Sequence, residues 1–158
     1  MILHEEDARM LISTKGRYAA RMLTDIAMHQ GNGYVPMKDV AVRQQISKKY
    51  MEAFTASLAA AGVLGIRRGQ AGGYRLLVSP ADLTLWRIVC LTEGPLHAVA
   101  CLERPVNECA RCGFCITLPA WEGLEKVVRD YLESVTLQQL IDQAKPQPAH
   151  PEDYPCGV

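Results

Sequence analysis

Apolar residues recur at helical spacing from Thr14 onward. Tyr18, Met22, Leu23, Ile26 and Ala27 share one face before Gly31-Asn32-Gly33 interrupts the run, which predicts a first helix that stops there. Val35 and Pro36 read as a short extended link. A second helix comes next, with Met37, Val40 and Ala41 inward and Lys38 and Arg43 outward. After a break at Gln45 and Ile46, Ser47 is placed to cap a third helix, because its hydroxyl can accept an N–H from the first turn. In that helix Tyr50, Met51, Phe54 and Leu58 form the apolar stripe, and Lys48, Lys49, Glu52 and Ala53 lie off it. Gly62 ends it.

Next, Leu64 to Arg68 and Tyr74 to Val78 flank Gly69-Gln70-Ala71-Gly72-Gly73, the pattern of a hairpin with a glycine-rich tip that can approach another surface closely. Neither G-x-G-x-x-G nor a G-K-[ST] ending is present, so the glycines do not read as a nucleotide cradle. Helix, short helix, turn, helix and hairpin is the order of a winged helix-turn-helix, whose helix after the turn enters the DNA major groove.

The pattern changes after Val78. Ser79-Pro80-Ala81-Asp82 closes the wing, and Thr84 can cap a helix containing Leu85, Trp86, Ile88, Val89 and Cys90 that closes near Gly94-Pro95. Residues 96 to 118 lose helical periodicity and gain four cysteines. From Trp121 the set Trp121, Leu124, Val128, Tyr131 and Val135 alternates steps of three and four, the narrow stripe of a helix seam; the helix can pack back on its own domain, and the dimer helix is preferred because two-fold pairing doubles the length of duplex read. Thr136-Leu137-Gln138-Gln139 has the capping-box form of one further short helix, and prolines dominate the stretch beyond Lys145. The expected fold is mainly α with a small β hairpin: a winged helix-turn-helix with a long C-terminal dimerisation helix. Its expected parts are a DNA-binding domain at 10–78, a connecting helix at 79–95, a cysteine loop at 96–118, a dimerisation helix with its short successor at 119–145, and a loose tail at 146–158.

Charge sharpens this picture. The 158 residues carry no formal net charge, but residues 36–78 hold seven basic side chains against two acidic ones, a net of +5, while residues 79–158 hold six against eleven, a net of −5. The basic excess coincides with the winged unit, as binding to a polyanion requires. Lys48 and Lys49 stand in the first turn of the reading helix, the end that meets base edges, and Arg67 and Arg68 flank the wing tip. No apolar run approaches the ~18 residues that span a bilayer, and the acidic start MILHEEDARM is unlike a secretory signal. A cytoplasmic protein is expected, with no membrane partner.

In a reducing compartment the six cysteines read as metal ligands, redox thiols or core residues rather than as a disulfide framework. Cys101, Cys109, Cys112 and Cys115 fall within fifteen residues, spaced C-x7-C-x2-C-x2-C. Thiolate suits zinc or iron-sulfur. The first cysteine stands alone, whereas a zinc ribbon pairs two C-x2-C knuckles. The last three match the opening of a bacterial ferredoxin motif, but its fourth position is Pro119. Iron-sulfur, zinc and metal-free thiols all remain compatible with this spacing. Cys90 reads as a core residue and Cys156 as a free thiol. The four histidines are scattered, and no nucleophile and base constellation appears, so an enzyme is not expected.

Taken together, Ile12-Ser13-Thr14-Lys15-Gly16-Arg17-Tyr18-Ala19, Ile46-Ser47-Lys48-Lys49-Tyr50, Arg68-Gly69-Gln70-Ala71-Gly72-Gly73-Tyr74-Arg75-Leu76, Glu93-Gly94-Pro95-Leu96 and the cysteine loop leading to Trp121 resemble the Rrf-two family of bacterial regulators. That family includes the iron-sulfur cluster regulator, the rhizobial iron regulator, the nitric-oxide-sensitive repressor and the cysteine metabolism repressor. The resemblance implies a homodimeric repressor with crossed long helices, its third helix in the major groove of a double-stranded operator and its wing on the minor groove. It implies operator contacts from Ser47, Lys49, Tyr50, Glu52 and Arg68, joined on the charge argument by Lys48 and Arg67 and at the tip by Gly72 and Gly73.

The resemblance further implies an iron-sulfur cluster on Cys101, Cys109 and Cys115, responding to iron, redox state or nitric oxide. The seven-residue first gap resembles that of members with a 4Fe-4S rather than a 2Fe-2S cluster. Two usual fourth ligands are replaced here, a histidine by Leu118 and a carboxylate by Arg17, which leaves Cys112, Glu103 or a small molecule to complete the site; Cys112 is preferred. The chain also departs from the family at Ala53, where an adenine-binding glutamine is common, at Gln45 in place of the turn glycine, and at Pro36 in place of a helix cap. The alternative is a regulator of the same fold without a cluster, sensing a small molecule, a partner enzyme or zinc.

Overall fold

A computed structural model of the chain describes residues 12–69 and 72–144. The expectations for the proline-rich tail, for Cys156 and for Gln70 and Ala71 at the wing tip lie outside the described residues.

Three helices open the fold: α1 over Thr14–His29, α2 over Met37–Gln44 and α3 over Lys48–Ala60. Each begins where a local signal starts it. Ser13 accepts the Lys15 N–H at 3.0 Å and Ser47 accepts the Tyr50 N–H at 3.2 Å, each satisfying an orphan donor of the first turn. At Pro36 no side chain caps α2; the ring's fixed φ leads into the helix, and its carbonyl receives Asp39 N–H at 3.0 Å. Gln45 makes the turn into α3 with φ 54 and ψ 40, a left-handed conformation that strains a residue with a Cβ.

The hairpin pairs β1, Leu64–Arg67, with β2, Gly73–Leu76, in antiparallel register from Leu64 opposite Leu76 to Arg67 opposite Gly73. Its strands are shorter than the sequence pattern suggests. Tyr74 and Val35 exchange both backbone hydrogen bonds at 2.8 Å, so the link before α2 adds an isolated bridge to the outer edge of β2.

Beyond a short 3₁₀ turn at Pro80–Asp82, Thr84 caps α4, Leu85–Glu93. The cysteine segment contains only 3₁₀ turns at Ala100–Leu102 and Cys112–Phe114 before α5, Leu118–Ser134, and α6, Leu137–Asp142. The Thr136–Gln139 capping box is present, and Leu137 N–H donates to Leu83 O at 2.8 Å, returning α6 to the first domain.

One core joins these elements. Ala19, Met22, Leu23 and Ile26 of α1 are fully buried against Val40 of α2, Met51, Phe54 and Leu58 of α3, Leu83, Ile88 of α4 and Leu137 of α6. The stripes deduced from periodicity for α1, α2 and, apart from Tyr50, α3 are thus buried or half-buried faces. A second, smaller cluster of Val89, Leu96 and Leu132 fastens α5 to α4. Along α5 only Leu132 is buried. Trp121 is 40%, Leu124 39%, Val127 65% and Tyr131 65% exposed, an apolar face that the described residues leave uncovered.

Candidate nucleic-acid interface and cysteine loop

Burial of Met51, Phe54 and Leu58 rotates α3 so that Ser47, Lys48, Lys49, Tyr50, Glu52 and Ala53 face solvent. Tyr50 departs from its expected place in the apolar stripe: it is 39% exposed, because Met51 already fills that turn of the core. Its ring stands edge-on to Tyr18 at 5.5 Å and to Phe54 at 6.3 Å. Packing thus fixes the ring while leaving one edge to solvent.

On the hairpin, Arg67 and Arg68 are exposed. The Arg67 guanidinium stacks 4.6 Å from the Tyr34 ring centroid, which orients the cation without neutralising it. Gly72 N–H donates to Gly69 O at 3.0 Å, and a Cβ at Gly72 would overlap Arg67 O, so the turn closes only with glycine there. Gly73 is expected with Gly72 at the operator. It is buried as the first residue of β2, and a Cβ there would overlap Val35 O; its role is the close approach of wing to link.

Between these parts lies a cleft of about 360 Å³ lined by Lys38, Lys48, Glu52, Arg67, Gly72 and Tyr74 among others. Periodicity alone places Lys38 outward; the fold brings it to the same cleft as Lys48 and Arg67. Arg43, also expected outward, turns back instead. It forks onto Asp25 with Nε to Oδ1 at 2.9 Å and Nη2 to Oδ2 at 2.7 Å, since Asp25 is only 2% exposed and needs a counter-charge. The hydrogen bond and the Asp25 charge raise the Arg43 pKa against the opposing effect of burial. Sequence reasoning missed Asp25, although an acid one residue before core Ile26 is a signal for a buried partner.

In the cysteine loop Cys101, Cys112 and Cys115 are half-buried and Cys109 is exposed, all as free thiols. Among the described residues no three His, Cys, Asp or Glu side chains are gathered closely enough to hold a metal ion. The donor chemistry of four soft thiols in one segment fits an iron-sulfur centre, while their spacing in space is that of an open loop rather than a closed ligand shell. The Cys115 thiol is held below the usual range, chiefly by its hydrogen bond to the Thr117 hydroxyl at 3.4 Å, aided by backbone N–H groups entering α5 and by Arg111. The loop is anchored at its start, where Glu125 of α5 meets His97 Nδ1 at 3.3 Å and accepts the Ala98 N–H at 3.1 Å.

Comparisons with known proteins agree on what this arrangement is similar to. Residues 12–143 match the Rrf2 family, described as iron-dependent transcriptional regulator. A helix-turn-helix transcriptional regulator of Neisseria meningitidis serogroup B is 37% identical over 134 residues, covering 85% of this chain and 89% of that protein. The regulator IscR of Vibrio atlanticus is 31% identical over 132 residues, covering 84% and 75%. Among solved structures, CymR, the global cysteine regulator of B. subtilis, superposes with a TM-score of 0.70 at 28% identity, covering 85% of this chain and 98% of that one. IscR of T. potens gives 0.66 at 31% identity and covers 92% of each. No helix among the described residues is long and apolar enough to cross a membrane.

Proposed function

The chain belongs to the Rrf2 family of helix-turn-helix transcriptional regulators, which are not enzymes, and from that premise we propose a homodimeric repressor whose hold on a double-stranded operator is set by an iron-sulfur cluster in the cysteine loop. Ser47, Lys48, Lys49, Tyr50 and Glu52 meet the major groove, while Arg67, Arg68 and the Gly72 turn meet the minor groove and its phosphates. The observation that carries the DNA-binding part is the single cleft shared by Lys38, Lys48 and Arg67, which concentrates positive charge where helix and wing converge. Each phosphate neutralised adds roughly 0.9 to the logarithmic salt slope.

Cys101, Cys109 and Cys115 are the residues that would hold the cluster, with Cys112 as fourth thiolate, and 4Fe-4S is favoured over 2Fe-2S. Bound there, the cluster would supply an iron centre sensitive to iron supply, redox state and nitric oxide. The chain's own part is mechanical. Glu125 ties the start of the loop to α5, and Glu93, just ahead of the loop, accepts N–H groups from the first turn of α1. A rearranged loop therefore pulls on both the subunit contact and the reading unit. A tenfold change in operator affinity needs ~1.4 kcal/mol of such coupling, within the usual ~1–3 kcal/mol.

Anaerobic purification with iron and sulfide counts, followed by titration of cluster-loaded and cluster-free protein against duplexes selected from a random pool, tests this. The expected result is a brown protein with unequal affinities in its two forms. A second reading, a cluster-free sensor of thiol chemistry or of a small molecule, is favoured by the open arrangement of the four thiols and by the likeness to a cysteine regulator. A colourless anaerobic protein that still selects one duplex supports it instead.

A further inference from the structure

A cavity of about 680 Å³ lies apart from both the reading face and the cysteine loop, and its size is that of a small-molecule site. Ala20, Thr24 and Met28 of α1 form one wall, with the Thr24 hydroxyl donating to Ala20 O at 2.8 Å, and Leu140 of α6 with Ala144 supplies another. Polar groups collect at one end, where Arg21, His29, Arg43 and Gln44 surround Asp25.

The hydrogen bonding there is one-sided. Asp25 Oδ1 accepts from Arg43 Nε and from Gln44 Nε2 at 3.1 Å, and Oδ2 accepts from Arg43 Nη2. Gln44 Oε1 accepts Arg21 Nε at 3.2 Å, and the Gln44 carbonyl accepts Arg21 Nη2. His29 Nδ1 lies 2.7 Å from Asp25 O, so that nitrogen is the donor. The side-chain acceptors of Asp25 and Gln44 are therefore engaged. Among the described residues no hydrogen bond uses Nη1 of Arg21 or of Arg43, and the cavity lining holds two guanidiniums beside one carboxylate, Asp25, with Asp39 a further acid near Arg43 outside the lining. An apolar chamber with surplus cationic donors at one end is complementary to a molecule with an apolar body and an acceptor-only, anionic head.

We propose that this cavity is an effector site for a small amphipathic carboxylate. It is placed to influence DNA binding. Arg43 and Gln44 are the last residues of α2, and Gln45 makes the left-handed turn that sets the angle of α3. The opposite wall belongs to α6, which comes directly after α5. A ligand bridging the two ties the reading helix to the C-terminal helices by a route that does not pass through the cysteines.

Calorimetric titration of the full chain with decanoate, kept below its micelle concentration, tests the site, with decanol and decyltrimethylammonium as neutral and cationic counterparts. Saturable binding of one decanoate per chain is expected, with both counterparts at least about tenfold weaker, as loss of a charged hydrogen-bond partner implies. Arg21→Gln should weaken decanoate by about tenfold. Met28→Trp, at a half-exposed position on the wall, should block entry while leaving the thermal melt in place. Absence of saturable binding, equal affinity for decanol, or undiminished binding by Met28→Trp protein overturns the proposal. The titration involves neither DNA nor iron, so its failure leaves the proposed function standing, and failure of that function leaves the binding result intact.

Discussion

The Glu93 carboxylate caps the first turn of α1 across the fold: Oε1 accepts the Gly16 N–H at 2.7 Å and Oε2 accepts the Ser13 N–H at 3.1 Å. A negative charge at the positive end of a helix, accepting its orphan donors, is a favourable arrangement. Gly16 permits it, because a Cβ there would overlap Glu93 Oε1. Glu93 is also the last residue of α4, after which the chain runs into the cysteine loop. The reading unit and the loop are thereby fastened at one point.

Replacing Glu93 by Ala should destabilise the fold by about 2 kcal/mol, the usual worth of hydrogen bonds to a charged group. Gly16→Ala should also destabilise, despite alanine's advantage of about 1 kcal/mol in a helix interior, because the new methyl displaces the cap. The two changes combined should cost less than their sum, since the second removes what the first has already broken. Urea melts of the four proteins measure the coupling; additive losses would mean that the contact carries no energy.

How much of the fold and site is legible in the sequence depends on the range of the signal. Ser13, Ser47, Thr84 and Thr136 act within three residues of themselves, and each capped helix starts where its signal stands. The stripes of α1 and α3 are legible because burial repeats with the helix. What escapes depends on contacts between distant segments. Asp25 and Arg43 are eighteen positions apart, Glu93 and Gly16 seventy-seven, and Gly73 is set by the backbone of Val35. The cysteine spacing is legible as a donor set, but a loop without periodicity gives no rule for gathering its thiols.

The Asp25–Arg43 pair gives a second prediction. Arg43→Met leaves a buried carboxylate without its fork and should cost about 3 kcal/mol, the low end for breaking a buried pair, because Arg43 itself is partly exposed. Changing Asp25 to Leu in the same protein should restore part of that loss, as the unpaired charge is then gone. Thermal melts of single and double variants decide the matter; a double variant weaker than Arg43→Met alone would refute it.

Two groups predict a decline at alkaline pH. Burial raises the Cys90 thiol, with Arg129 opposing and Glu133 adding to the shift, and burial followed by the Glu52 charge raises the Tyr74 phenol. Both groups are neutral when protonated, so the folded chain holds these protons after the unfolded chain has released them. The Cys90 contribution is intact well below roughly pH 8.5, where an unfolded thiol is half ionised, and that of Tyr74 well below about pH 10; each falls as pH rises through the folded value. Denaturant midpoints should therefore decrease between about pH 8.5 and 10.5, and less steeply in Cys90→Ala and Tyr74→Phe proteins. A midpoint that rises over this range would contradict the assignment.

Gln45 offers a stabilising change. Its left-handed backbone costs a residue with a Cβ about 1–2 kcal/mol, whereas glycine meets no such penalty and loses about 0.5–1 kcal/mol of chain entropy on folding. The Gln45 side chain is exposed, so its removal forfeits little packing. Gln45→Gly should raise stability by about 0.5–1 kcal/mol, read as a shift in denaturant midpoint at constant slope.

The uncovered face of α5 carries the last prediction. Leu124 and Tyr131 lie one heptad apart and are exposed by 39% and 65%, while Leu132, half-buried Val128 and the Glu125 hydrogen bonds hold the helix to its own chain. In the proposed homodimer a seam of this kind buries its apolar residues against a second copy. Aspartate at Leu124 or Tyr131 places a charge in that seam without touching Leu132, so the chain should still fold. Analytical ultracentrifugation should then show monomer where the parent is a dimer, at unchanged far-ultraviolet circular dichroism. Because two reading helices double the length of duplex engaged, the same variants should bind a selected operator weakly and lose roughly half of the parent's salt slope. Retention of both the dimer and the full slope by Leu124→Asp protein would place the subunit contact elsewhere on the molecule.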